Sequence, residues 1–375
     1  MTPGSSHAYR QHLDPEGRLL LTEFLDSAAK ILYTYTSTKQ LYEIVSGDGL
    51  TSFSYGKDGL LSEAIHEELD LEYKMDYIYQ GRLLQEHRIE YSAKSGLSNV
   101  KFTYEHDDNM RISKMDGRVG GQTLRPFHLS YSPRNGSPST IGSFLVSRSE
   151  VNITTIQDGT AIFTRNLDDH LRVSSTSLNI HNMQVFRQEI SYNRDGRIGQ
   201  VQTFTRNYHT KPYSNSKNFT YDADGQLTAV DAKDPWRFAY DSNGNMVSLT
   251  YSTNTIPMKY DTEDRIVKFG EGIYKYNSRG AISQNAREVT YQYNARGLLV
   301  QAAKPGRFII KYLYDHDDRL IARKDNFGNV TQFLYQDTRN TDKVTQIYNT
   351  RDASLLSLVY DDRGHLIFVQ VTILY

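Results

Sequence analysis

Paired carboxylates are the first residues in this chain with chemical potential. Asp107-Asp108, Asp168-Asp169, Asp317-Asp318 and Asp361-Asp362 form four doublets. Two carboxyl groups held about 5–9.5 Å apart would suit glycoside hydrolysis, one as acid and the other as base or nucleophile. Asp241, Asn243 and Asn245 alternate as calcium ligands do, but Gly244 comes too early and Ser252 stands where a bidentate Glu belongs. His66-Glu67-Glu68 lacks the second His of a zinc helix and reads as a solvated charge run. No G-x-x-x-x-G-K-[ST] loop, G-x-S-x-G elbow or H-E-x-x-H helix occurs. No catalytic, metal-binding or cofactor-binding residue is assigned.

The setting of the doublets favours a turn role over hydrolysis. Three of the four lie inside a recurring phrase: aromatic, Asp or Asn, any residue, polar, Gly or Asp, polar, aliphatic. Its clearest copies begin Tyr221-Asp222 with Gly225 and Leu227, and Tyr240-Asp241 with Gly244 and Met246. Tyr260-Asp261 with Asp264 and Ile266 follows, then Tyr276-Asn277 with Gly280 and Ile282, and Tyr293-Asn294 with Gly297 and Leu299. Tyr314-Asp315 with Asp318 and Leu320, and Tyr360-Asp361 with Gly364 and Leu366, complete the strong series. A decayed copy starts at Tyr335.

The phrase has a turn mechanism. The Asp side chain accepts a hydrogen bond from backbone two residues on. The next two residues suit a type I turn, and Gly takes the left-handed conformation that closes a three-residue hairpin. Asp at 264 and 318 tolerates that conformation as well. The Tyr then ends one strand and the aliphatic residue opens the next. From Tyr221 to Tyr314 the copies recur every 16 to 21 residues, the length of a strand, a turn and a strand. A fixed phrase used this often marks one supersecondary unit repeated, and points away from an enzyme.

Composition agrees. Tyr numbers 28 against 15 Phe and one Trp, and Tyr favours sheets. Lys plus Arg is 43 and Asp plus Glu 44, a net charge of -1, which leaves no basic excess for nucleic acid. There is no Cys, hence no disulfide framework. No apolar stretch is long enough for a transmembrane helix, and Met1 to Arg10 is not a signal peptide.

Weaker copies fill the first half: Asp14 with Gly17 and Leu19, Tyr55 with Asp58-Gly59, Tyr79-Gln80-Gly81, Tyr104 with Asp107-Asp108, and Tyr192-Asn193 with Gly196. Between 111 and 190 the phrase nearly vanishes. The expectation is one continuous β-structure over 1–375, with weak repeats over 1–190 and strong ones over 191–370. Gly120 to Thr140 is expected to be a long surface loop.

The copies at Tyr192, Tyr221, Tyr240, Tyr260, Tyr276, Tyr293, Tyr314 and Tyr360 resemble the YD repeats of teneurins, and more remotely those of bacterial Rhs and YD-repeat toxin proteins. Trp236 to Asn245 is especially similar. The clear likeness covers residues 185 to 370. It implies an all-β fold in which a YD-repeat, spiralling antiparallel β-sheet forms part of a large hollow β-barrel shell. It further implies the extracellular region of a single-pass neuronal membrane protein. Such proteins dimerise, adhere across synapses to their own kind and bind latrophilin receptors. The chain lacks the family's transmembrane segment, EGF-like cysteines and propeller region, so it is expected to be a fragment. A bacterial-type shell that encapsulates a toxin domain is the alternative. A carbohydrate-binding or carbohydrate-active β-scaffold, with the Tyr rings as a sugar platform, is the third.

Four sequons, at Asn135, Asn152, Asn218 and Asn329, would be glycosylation acceptors in a secreted chain. Pro138, directly after the first, weakens it.

Overall fold

The computed structural model describes residues 9–24, 29–149, 153–206 and 211–372. Among them lie thirty-six strands and one short 3-10 turn, Ala93–Ser95. The strands pair antiparallel, mostly with the strand next in sequence. Neighbouring strands joined by tight turns need little chain between them, which suits a short repeat.

Each strong copy makes the same corner. Tyr221 pairs with Leu227, Tyr240 with Met246, Tyr260 with Ile266, Tyr314 with Leu320 and Tyr360 with Leu366. The register shifts at every one of these tyrosines. This is a bulge, and it adds local twist to the sheet. Repetition of one bulge at one place in each hairpin therefore repeats one twist.

The chain divides into two compact units, Met1–Leu129 with Lys275–Tyr375, and Ser130–Tyr274. In the first, side-chain contacts join an amino-terminal meander to a carboxy-terminal one. Phe53, Tyr73, Met75, Phe102, Tyr104 and Met115 are buried from one side, and Leu313, Ile321, Val330, Leu334 and Leu355 from the other. Strand alternation supplies these faces: Gly49–Tyr55 buries Thr51 and Phe53 and turns Ser54 to solvent. The second unit is built more thinly. Every residue of Val173–Ile180 is only half-buried, and full burial is confined to a few positions such as Ile141, Phe144, Ile156 and Met258.

Three expectations change. Gly120 to Thr140 is not a long loop. Gln122–Thr123 folds back on Ile112–Val119, Phe127–Tyr131 pairs with the same strand, and Pro138–Ile141 is a strand too. Buried Leu124 and Leu129 anchor the segment, a short apolar alternation that its Gly, Pro and Ser content hides. The copy assigned to Tyr104 starts instead at His106, while Tyr104 is a core residue. The phrase also survives between 111 and 190. Asp168 opens a full turn with Leu171 in the Gly position and Leu167 in place of Tyr.

The turn's fourth residue has φ between +75° and +86° in Gly196, Gly225, Gly244, Gly280, Gly297 and Gly364. A Cβ on Gly297 would meet nothing within 4 Å, so an alanine there bears conformational strain alone. Gly297→Ala should lower unfolding stability by about 1 kcal/mol. Met110 holds the same position with φ +63° and is exposed, so Met110→Gly should shift the urea midpoint the other way. Equal midpoints for both variants would refute the left-handed requirement.

Candidate functional site

The site is the turn itself, repeated. In the Asp261 copy, the Asp261 N–H donates to the Arg265 carbonyl at 3.0 Å, and the Asp264 N–H donates to the Asp261 carbonyl at 3.2 Å. Asp261 Oδ1 accepts the Glu263 and Arg265 N–H groups at 2.9 and 3.0 Å, and Oδ2 accepts Arg265 Nε at 2.8 Å. Asp315 repeats this with Asp317 and Arg319, and Asp361 with Arg363 and His365. Asn277 does the same through one oxygen.

This geometry occupies the carboxylates. Hydrogen bonding from the Asn245 N–H holds Asp241 below the usual carboxylate range. The Arg172 and Arg111 side chains hold down Asp168 and Asp107. A glycosidase acid needs the opposite shift. Asp318 is pushed up by burial, but it occupies the left-handed position and pairs with Arg296. Among the described residues no cluster of His, Asp and Glu could hold a metal. Asp241, Asn243 and Asn245 form a turn: Asp241 Oδ1 takes the N–H of both asparagines at 2.9 Å.

The tyrosines link one turn to the next. Tyr192, Tyr221, Tyr240, Tyr260, Tyr276, Tyr293, Tyr314 and Tyr360 each end a strand. The Tyr240 hydroxyl donates to the Leu227 carbonyl, Tyr260 to Met246, Tyr293 to Ile282, Tyr314 to Leu299 and Tyr335 to Leu320. Tyr35, Tyr55, Tyr192, Tyr221 and Tyr360 reach back in the same way, and all ten bonds measure 2.8–3.0 Å. In nearly every case the acceptor is the aliphatic residue of the preceding copy. Arginines of the preceding copy lie over the rings: Arg18 over Tyr35, Arg172 over Tyr192 at 4.0 Å, and Arg319 over Tyr335 at 5.0 Å. The rings are thus turn-to-turn struts, each held by a hydroxyl bond and, in several copies, a cation over its face.

Within the first unit, turns also meet strands far away in sequence. The His316 N–H donates to the Tyr73 hydroxyl at 2.8 Å, with His316 Nδ1 3.2 Å from the same oxygen. The Gln332 amide bridges the Ser98 backbone in both directions, at 3.1 and 3.0 Å. Tyr104 donates to the Gln336 carbonyl, and Gln336 Nε2 donates to the Asp116 carbonyl. Burial raises Tyr73 well above its ordinary pKa and lowers His316. His87 stacks on Tyr77 at 4.5 Å, and burial, helped by the Arg319 charge, takes it down to about 3.

The Teneurin YD-shell family matches residues 1–373. The chain belongs to that family. Teneurin-m of Drosophila melanogaster is 28% identical over 98% of the chain. Teneurin-1 of Homo sapiens is 30% identical over 99% of it. The chain spans only 13% and 14% of the lengths of those two proteins. Among solved structures, the Photorhabdus luminescens Tc holotoxin pore aligns over 97% of this chain and 23% of its own, with TM-score 0.50 and 14% identity. A TcdB2–TccC3–TEV crystal structure aligns over 96% and 24%, with TM-score 0.51 and 12% identity. At those identities the likeness shows the fold alone.

Sequence reasoning about this YD shell did not foresee the hydroxyl-to-carbonyl bond. The excess of Tyr over Phe was its signal, because a strand-end ring that only packs would be as well served by Phe. The turn at Asp325, with Gly328 and Asn329, was missed also, as was the one at Asn285. Neither has an aromatic residue before it. Of the sequons, Asn329 has its side-chain nitrogen committed to Asp325 Oδ2 at 2.6 Å. Asn218 is exposed on a strand and accepts from Gln200. Asn135 is exposed in a turn where it accepts from Ser137. Asn152 lies outside the described residues.

Removing one strut should be measurable. Tyr260→Phe or Tyr314→Phe should each cost about 1 kcal/mol in chemical unfolding, while Tyr42→Phe, exposed and outside the ladder, should cost nothing. Three equal values would sink the strut. His87 gives a pH test. Its folded pKa of about 3 lies below the unfolded 6.5, so between those values only the unfolded chain binds the proton. Stability therefore falls as pH drops through that window, by about 2 kcal/mol from pH 8 to pH 5. His87→Phe should remove that share of the slope, and an unchanged slope would show that His87 is not buried neutral.

Proposed function

We propose that this YD-shell segment is an extracellular adhesion and recognition module, part of a longer teneurin-like single-pass membrane protein. It acts by presenting a rigid, polar β-wall to protein partners. Family membership supports the reading, and the ladder of tyrosine hydroxyls carries it. Ten bonds of 2.8–3.0 Å set one turn against the next. A row of tips held that way needs little ordering when a partner docks, which favours binding. The partners in this reading are a latrophilin-type receptor and a second teneurin, and the longer protein is a dimer. The turn carboxylates cap backbone, and the reading assigns no residue a catalytic role. No helix among the described residues is long and apolar enough to cross a membrane; in this reading the longer protein carries the anchor.

Beads coated with the chain should cluster with one another or with cells that display a latrophilin-type receptor. Beads coated with heat-unfolded chain should not. Failure of the folded chain in both assays would remove the adhesion reading.

A further inference from the structure

One turn tip breaks the pattern of all the others. The third residue of the turn is polar or charged in the other copies, as in Glu16, Asn109, Asp224, Asn243, Glu263 and Asp317. In the Asp325 turn it is Phe327, which is 76% exposed. The turn itself is ordinary: Asp325 Oδ1 accepts the Phe327 and Asn329 N–H groups, each at 2.9 Å. No local requirement places an aromatic ring there. A local rule broken without a local gain marks a functional position.

Phe327 borders a cleft of about 520 Å³ between its own turn and the Lys304–Phe308 corner. The cleft is preformed. Asn326 clamps Ile309 in both directions, its N–H donating to the Ile309 carbonyl and its Oδ1 accepting the Ile309 N–H, both at 3.0 Å. Lys304 Nζ donates to the Arg287 carbonyl at 2.6 Å, which fixes that cation at the rim. Arg307 is exposed at the corner's tip. Ile309 adds a second exposed apolar side chain. The lining holds two cations and no carboxylate, although the whole chain is balanced at -1. Aromatic residues, Phe among them, and Arg are enriched at protein interfaces.

We infer that this cleft docks an acidic peptide segment of a protein partner, with an apolar side chain against Phe327 and Ile309 and carboxylates against Arg307 and Lys304. Charge complementarity selects the occupant: the cations call for carboxylates, and the ring calls for an apolar group that a simple polyanion lacks. The inference rests on the recognition role proposed above and gives it a surface.

The test uses the 375-residue chain and a fluorescein-labelled peptide, Asp-Asp-Leu-Phe-Glu-Asp, followed by fluorescence anisotropy. Phe327→Ser and Arg307→Glu should each weaken binding at least tenfold, with circular dichroism and melting temperature unchanged. The peptide Lys-Lys-Leu-Phe-Lys-Lys should not bind. Absence of binding by the unaltered chain overturns the inference, and so does equal binding by both variants. Loss in Arg307→Glu alone, with a heparin hexasaccharide competing, overturns it in favour of a polyanion site. The bead assay separates this surface from the wider reading. Clustering that survives in both variants removes the cleft only, whereas no clustering by the unaltered chain removes the recognition role.

Discussion

A tyrosine hydroxyl given to the carbonyl that opens the previous return strand is the interaction on which the rest of this structure depends. That carbonyl lies beside a bulge, where the sheet's own ladder is interrupted. The strut gives that carbonyl a donor, and a backbone carbonyl left unsatisfied is costly. It also ties the geometry of each copy to the one before it. The twist introduced at Tyr240 is thereby related to the twist at Tyr260 by a fixed contact, Tyr260 to Met246 at 2.9 Å. Burial raises the pKa of Tyr240, Tyr260, Tyr293, Tyr314 and Tyr360, so these hydroxyls remain protonated donors.

The local chemistry of the fold was legible because it is contained in seven consecutive residues. Tyr221 to Leu227 holds a strand end, a cap, a turn, a left-handed residue and a strand start. Copies were lost where one slot changed while the hydrogen bonds did not. Leu171, Glu288 and Lys39 all sit at positive φ, at a strain of about 1–2 kcal/mol each. In these turns the fourth residue's N–H still reaches the first residue's carbonyl, and the cap from Asp168, Asn285 or Thr36 persists. The bonds outweigh the strain, so a pattern keyed to glycine misses them. The packing of the first unit was not legible at all. Gln332 and Ser98 lie 234 residues apart, and nothing in either neighbourhood encodes the other.

That packing is more polar than a sheet-on-sheet core needs to be. Gln332, Gln336 and Gln346 are buried with their amides engaged, Gln346 donating to Gln336 at 2.9 Å. An apolar contact tolerates sliding by a residue or two, whereas an amide that bridges one peptide does not. Gln332 and Gln336 therefore set register between two meanders that the chain brings together from its opposite ends. Burial keeps His87 neutral with its Nε2 unpartnered and holds His316 down as well.

In three copies of the first unit the second residue's N–H finds its acceptor outside the turn. In two of them, the Asp315 and Asp325 copies, the cap serves the third and fifth residues. The Ala295 N–H goes to Asp48 Oδ2 at 2.6 Å, His316 to the Tyr73 hydroxyl at 2.8 Å and Asn326 to the Ile309 carbonyl at 3.0 Å. Each bond joins a turn to another part of the unit without disturbing the phrase. The cap does not require the side chains at the second and third positions, and they vary from Ala223 and Asp224 to Ser242 and Asn243 to Asn326 and Phe327. The phrase therefore separates two tasks. Its first, fourth and fifth residues hold the turn, and its tip is free to carry whatever surface the wall must show.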